Sequence, residues 1–140
     1  MKYFACYFAL CVFFFSCDEN EPAENYSDFK IDEVFSASAN QKIYVKRKAW
    51  GLNYNHDMAI VSTSSGNTGP DSLKDFIFKD SEIFYKLSND TLCVFTMLKA
   101  KIPIDFQSKI IIKQIEISNS EAMDLIEFGN YKTKGLKMPH

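Results

Sequence analysis

Cysteine, histidine and tryptophan are scarce in this chain, and each scarcity removes a class of chemistry. Of the four cysteines, Cys6, Cys11 and Cys17 fall within the first seventeen residues, and only Cys93 lies in the body. A body with one thiol cannot close a disulfide within itself, so its stability has to come from an ordinary packed core. Cys93 stands in an apolar run, where the expected role is that of a small buried hydrophobe rather than a catalytic thiol. Two histidines, His56 and His140, cannot assemble a His-rich metal site, and the carboxylates lack the spacing of a calcium loop. There is no G-x-S-x-G elbow, and Gly66-Asn67-Thr68-Gly69 lacks the lysine and following helix of a phosphate loop. The net charge of −2 and the slight basic excess after Phe29 are too mild to imply nucleic acid. No cofactor is expected.

What is present is most informative at the start. Lys2 is followed by an apolar and aromatic run from Tyr3 to Phe15 and then by Ser16-Cys17. A short positive segment, an apolar stretch too short to span a bilayer and a small residue before a cut site make a secretory signal over residues 1–16. Residues 17–28 contain five acidic side chains and no basic one. Such a stretch buries too little surface to offset its ordering entropy, and it reads as an extended acidic tether. The remaining 29–140, about 110 residues, form one domain that can bury roughly two thirds of its unfolded surface.

Phe14-Phe15-Ser16-Cys17 resembles the lipobox of bacterial lipoproteins. The resemblance implies cleavage after Ser16, acylation of Cys17 and attachment to a membrane through the lipid. The acidic run after Cys17 is similar to the surface-export signal of Bacteroidota lipoproteins, which implies an outer-membrane protein facing outward. Asp71-Ser72-Leu73 and Asp90-Thr91-Leu92 resemble the Asp-(Ser/Thr)-apolar site of O-glycosylation in exported proteins of that phylum, so Ser72 and Thr91 are the candidate acceptors. With a Trp50-Gly51-Leu52 segment, a later Phe84-Tyr85-Lys86 hairpin and a short C-terminal helix, the body as a whole also looks like the small uncharacterised lipoproteins common there, which implies location and fold more than activity.

In the body, Lys42 to Lys48, Met58 to Thr63 and Asp75 to Lys79 read as strands, and Ser62 to Ser72, with Gly66, Gly69 and Pro70, as a long surface loop. Glu82 to Leu87 and Thr91 to Met97, joined by Ser88-Asn89-Asp90, predict a hairpin whose second strand, apolar on both faces, is central. The apolar phase shifts between Ile112 and Ile115, which predicts a β-bulge near Lys113. Ser118-Asn119-Ser120-Glu121 fits a capping box opening a helix from about Asn119 to Phe128, ended by Gly129. The class expected is mainly β: a small antiparallel sandwich or open barrel with one short C-terminal helix.

Three readings of function follow. A non-enzymatic binding or envelope-structural module leads, with Tyr44, Trp50, Tyr54 and His56 as a candidate ligand patch for an envelope protein or a glycan. Trp50 is expected first to plug the core. An inhibitor or immunity-type lipoprotein acting on an envelope enzyme would use a protruding loop, for which Ser62 to Ser72 is the candidate. A small hydrolase would need His56 beside a serine of Ser62 to Ser65 and a carboxylate, although the adjacent Asp57 diverges from His56.

Overall fold

The computed structural model describes residues 29–51 and 54–139. The expected signal peptide, the tether, Cys17 and His140 lie outside the described residues. Among these the chain order is β1 (Lys30–Ser36), β2 (Gln41–Trp50), β3 (His56–Ser62), β4 (Phe76–Lys79), β5 (Ile83–Ser88), β6 (Thr91–Thr96), β7 (Ile111–Glu116), α1 (Asn119–Ile126) and a single-turn α2 (Asn130–Thr133). β1 to β4 form a four-stranded antiparallel sheet in sequence order, and β5, β6 and β7 form a three-stranded one with β6 in the middle.

The two sheets pack face to face, because alternate residues of each meet in one core. Ile43, Val45, Ala59, Val61, Phe76 and Phe78 of the first sheet touch Ile83, Tyr85, Leu92, Val94 and Ile110 of the second. Each such side chain contributes about 1.5–3 kcal/mol on full burial. The molecule is therefore a β-sandwich, and no closed barrel forms. The opposite face of the smaller sheet is covered by the C-terminal segment: Phe84, Phe95 and Ile117 pack on Leu125, Tyr131 and Leu136.

This third layer corrects the expected bulge. β7 pairs with β6 without interruption from Thr91 opposite Ile111 to Thr96 opposite Glu116. Ile110 and Ile112 point into the inter-sheet core, and Ile117, of opposite parity, points to the helix side. The shift of apolar phase records a strand whose inner face meets the other sheet and whose far end, at Ile117, meets the helix layer, while Ile111 stays 63 % exposed. The pairing of β6 with β7 is also parallel, so the expectation of an antiparallel sandwich holds for six strands and fails for the seventh. Parallel neighbours need a crossover, and here residues 97–110 supply it without a helix. Ala100 and Phe106 of that crossover close the flank of the core.

The hairpin expected at Ser88 forms, with Ser88 already paired to Thr91, so the turn is Asn89-Asp90 and not three residues. The capping box is complete: Ser118 Oγ accepts from the Glu121 backbone N–H, and Glu121 accepts from that of Ser118. The helix stops at Ile126, short of the expected Phe128, because Phe128 takes a left-handed φ of 56° and Gly129 one of 70°. The chain then makes one more helical turn, α2. Cys93 is half-buried rather than buried, since it lies on the face of β6 that only the C-terminal segment screens. β1 was not expected from its charged composition. It forms by pairing with β2, and its inward Asp32 accepts from Tyr85 Oη at 2.7 Å across the two sheets.

Candidate functional site

Three of the four sequence-selected patch residues, Trp50, Tyr54 and His56, converge at one end of the sandwich, where β2 ends and β3 begins. Trp50 and His56 are direct cross-strand partners, and their rings stack with centroids 5.6 Å apart at 22°. Lys48 Nζ sits 6.0 Å from the Trp50 ring centre. The inner part of Trp50 packs with Phe29, Met58, Ile60 and Ile77 on the outer face of the larger sheet. Trp50 is thus half core plug and half surface, and both readings of it have a share.

The turn that joins the two strands positions Tyr54. Gly51 adopts φ 88°, a conformation that favours glycine, and a Cβ there would also collide with Asn55 Oδ1. Tyr54 itself takes φ 54°, and its N–H donates to Gly51 O at 3.2 Å. The consequence is an aromatic ring held 77 % exposed.

Behind Tyr54 lies a concavity of about 240 Å³ lined by Arg47, Tyr54, Asn55, Asp57, Ser81 and Glu82, among others. Arg47 Nε and Nη2 fork onto Asp57 at 2.9–3.2 Å, and Nη2 is 3.8 Å from Glu82 Oε1. Burial disfavours the guanidinium charge, but the hydrogen bonds and charge of Asp57, with Glu82 behind it, outweigh that and raise its pKa. Glu82 Oε2 is buried with no hydrogen-bond partner. His56 Nδ1 approaches Asp80 Oδ1 at 3.8 Å. The pocket offers an acceptor pair, a guanidinium and a projecting phenol, a set suited to hydrogen bonding with a polar ligand.

The other sequence candidates are placed elsewhere. Tyr44 shares the outer face but stands six residues along β2 from Trp50, about 20 Å at ~3.3 Å per residue, opposite Glu33 and Ser62. It is not part of the cluster. Ser62 ends the strand that His56 begins, so the His56–serine pair required for the hydrolase reading is not assembled. Asp57 is turned to the inner face and committed to Arg47. The Ser62 to Ser72 loop does not project freely. Lys46, 2 % exposed on the outer face, donates through Nζ to Gly66 O at 2.6 Å and ties the loop down. Burial lowers the Lys46 pKa, and Asp75 opposes the shift. Ser72 is exposed in a turn, whereas Thr91 opens β6 beside a fully buried Leu92.

Two features were missed at the sequence level. A groove of about 400 Å³ runs between β1 and the C-terminal segment, with Asp32, Tyr85, Tyr131 and Lys132 among its walls. On the sandwich flank, Leu98, Ile102 and Ile104 are 64–82 % exposed. The signal for the latter was Pro103 interrupting an otherwise strand-like apolar and basic alternation. Among the described residues no group of three or more His, Cys, Asp or Glu is placed to hold a metal ion, and no helix is long and apolar enough to cross a membrane. No known protein family, curated protein or solved structure matches the chain.

Proposed function

We propose that this chain is a lipid-anchored outer-membrane lipoprotein, exposed at the cell surface, whose domain is a non-enzymatic binding or envelope-structural module. The lipobox-like Cys17 and the acidic tether support the address. The observation that carries the binding reading is the juxtaposition of a 77 % exposed Tyr54 with the Arg47–Asp57–Glu82 concavity that it lines, at the end of the sandwich where Trp50 and His56 stack on the outer face. Exposed aromatics beside fixed polar groups recognise sugars and proteins, because the ring buries a large area at small entropic cost while the polar groups set orientation. Arg47 holds Asp57 in a forked ion pair, which suits a scaffold more than a base awaiting a proton.

The address is tested by intact mass of the membrane-extracted protein beside Cys17→Ser, with protease shaving of whole cells. A lipid increment lost in the variant, and a band lost on shaving, are the expected results. An unmodified Cys17 or a soluble product would overturn the anchor. The binding reading is tested by Tyr54→Ala against immobilised envelope glycans and outer-membrane proteins. Binding that survives this change would remove the site from this end of the sandwich. If an acceptor serine is glycosylated, Ser72 is the accessible one.

A further inference from the structure

The crossover between β6 and β7 presents its sequence in an unusual way. From Lys99 to Asp105 the chain alternates between buried anchors and projecting side chains: Ala100 is 8 % exposed and Pro103 is buried, while Lys101, Ile102 and Ile104 point to solvent. The backbone is held from several sides. Both polar groups of Ala100 are bound by one side chain, since its N–H donates to Gln114 Oε1 at 2.7 Å and its C=O accepts from Gln114 Nε2 at 3.0 Å. Thr96 Oγ1 donates to Leu98 O at 2.8 Å, and Asp105 N–H donates to Leu73 O at 2.8 Å. Phe106 packs edge-on against Phe76 in the core.

A loop that only needed to connect two strands would have no reason to expose isoleucines of 72 % and 82 % on so constrained a frame. Ordering a loop before binding removes the entropic cost that binding would otherwise carry. Three lysines, Lys79, Lys99 and Lys101, border the adjoining hollow, and the loop's one acidic side chain, the exposed Asp105, stands at its far end. Lys99 is engaged with Glu116 at 3.3 Å, whereas Lys101 has no partner among the described residues. The complement of this surface is an acidic cleft that accepts an extended chain, with a deep place for one lysine and an apolar place for the residue after it.

We propose that residues 98–105 are a docking loop for the cleft of a lysine-accepting serine endopeptidase, and that the chain inhibits such an enzyme as a tightly held, slowly cleaved substrate. Lys101 fills the acidic specificity pocket, and Ile102 follows it across the would-be scissile bond. Attack by the protease hydroxyl on the Lys101 carbonyl would form an ester and release the Ile102 amine, which takes the hydroxyl proton. The anchors at Ala100 and Pro103 keep that amine beside the ester, so the reverse reaction reforms the amide faster than water clears the enzyme. The inference leans on the proposed extracytoplasmic address only for where a protease would be met.

The experiment titrates trypsin with the full chain in mild detergent and follows hydrolysis of a small chromogenic substrate. Expected are stoichiometric loss of activity, full retention in Lys101→Arg, and weakening by about a hundredfold or more in Lys101→Glu, as for an anchor residue. Gln114→Ala, which frees the Ala100 backbone, should turn the inhibitor into a substrate cut between Lys101 and Ile102, located by mass spectrometry. Circular dichroism of each variant establishes that the fold is kept, which exposure of Lys101 leads us to expect. Undiminished trypsin activity at excess chain overturns the proposal, as does inhibition indifferent to Lys101→Glu. Binding to anionic phosphatidylglycerol vesicles that requires Lys101, without inhibition, also overturns it and assigns the flank to a lipid surface. Because the assay runs in solution, its failure would leave the lipoprotein address standing.

Discussion

Replacing Tyr85 by Phe removes one oxygen and tests how the two sheets are held together. Tyr85 is 2 % exposed in the middle of β5, and its Oη donates to Asp32 Oδ2 on β1 at 2.7 Å. Phe keeps the ring and its packing, and the backbone pairing with Lys137 is untouched, so the hydrogen bond is isolated as the variable. A bond to a charged acceptor contributes about 1.5–3 kcal/mol. Asp32 borders an open groove, so water can take over part of its solvation, which places the expected loss near the low end, about 1.5 kcal/mol. In urea the midpoint should fall with the slope unchanged, since neither compactness nor buried area changes. The same pair makes a second, alkaline prediction. Burial first, then the hydrogen bond and charge of Asp32, raise the phenol pKa above its ordinary value. The folded state therefore holds this proton more tightly than the unfolded chain. Its stabilisation is fully present below about pH 10 and declines above it, as the unfolded tyrosine ionises while the folded one does not. The gap between wild type and Tyr85→Phe should thus narrow by roughly 1.4 kcal/mol for each pH unit beyond 10. An equal urea midpoint at neutral pH, or a gap constant through pH 11, would refute the bridge.

Arg47→Met takes the cation from both Asp57 and Glu82, whose Oε2 already lacks a hydrogen-bond partner; a loss of about 3 kcal/mol is expected by thermal or urea unfolding, because a partly buried charge loses its counterion. Asp90 accepts hydrogen bonds from Ser36 and then Ser38, and these hold its carboxyl pKa below the ordinary value. Its contribution is therefore present above about pH 4 and fades as acid protonates the folded state, so Asp90→Ala should unfold more readily at neutral pH and differ less from wild type in strong acid. Lys46→Met keeps the packing beneath the Ser62 to Ser72 loop but releases Gly66 O, and faster nicking by proteinase K within that loop, with global stability little changed, is the expected readout. Ser118→Ala removes the side-chain half of the capping box and should cost about 1 kcal/mol of helix stability, seen as lower protection of the first amides of α1 in hydrogen exchange.

The features legible in the sequence share one property: the residues that decide them are neighbours along the chain. The hairpin across Asn89-Asp90, the Ser118–Glu121 capping box and the punctuated Ser62 to Ser72 loop each depend on local conformational preference, and each formed close to where it was expected. Composition likewise sufficed for a mainly β domain with a short terminal helix. The candidate site was legible in part, since Trp50, Tyr54 and His56 lie close in sequence around one turn, while Tyr44 was misjudged because strand spacing carries it far from them.

What tertiary structure alone decided is which layer covers each face of a strand and which distant segment comes alongside. Alternation states that Ile112 and Ile117 point in opposite directions; it does not state that a sheet awaits one and a helix approaches the other, so the change of covering layer along this segment passed for a bulge. The same limit hid β1, whose charged residues become a strand only through β2 and through the phenol of Tyr85, fifty-three positions away from Asp32. It also hid the buried Lys46 and the projecting Ile102 and Ile104, because burial is a property of everything that packs around a residue. Local order is written in adjacent side chains, whereas burial, parallel pairing and exposure arise from long-range contacts whose free energy exists only once the chain has closed on itself.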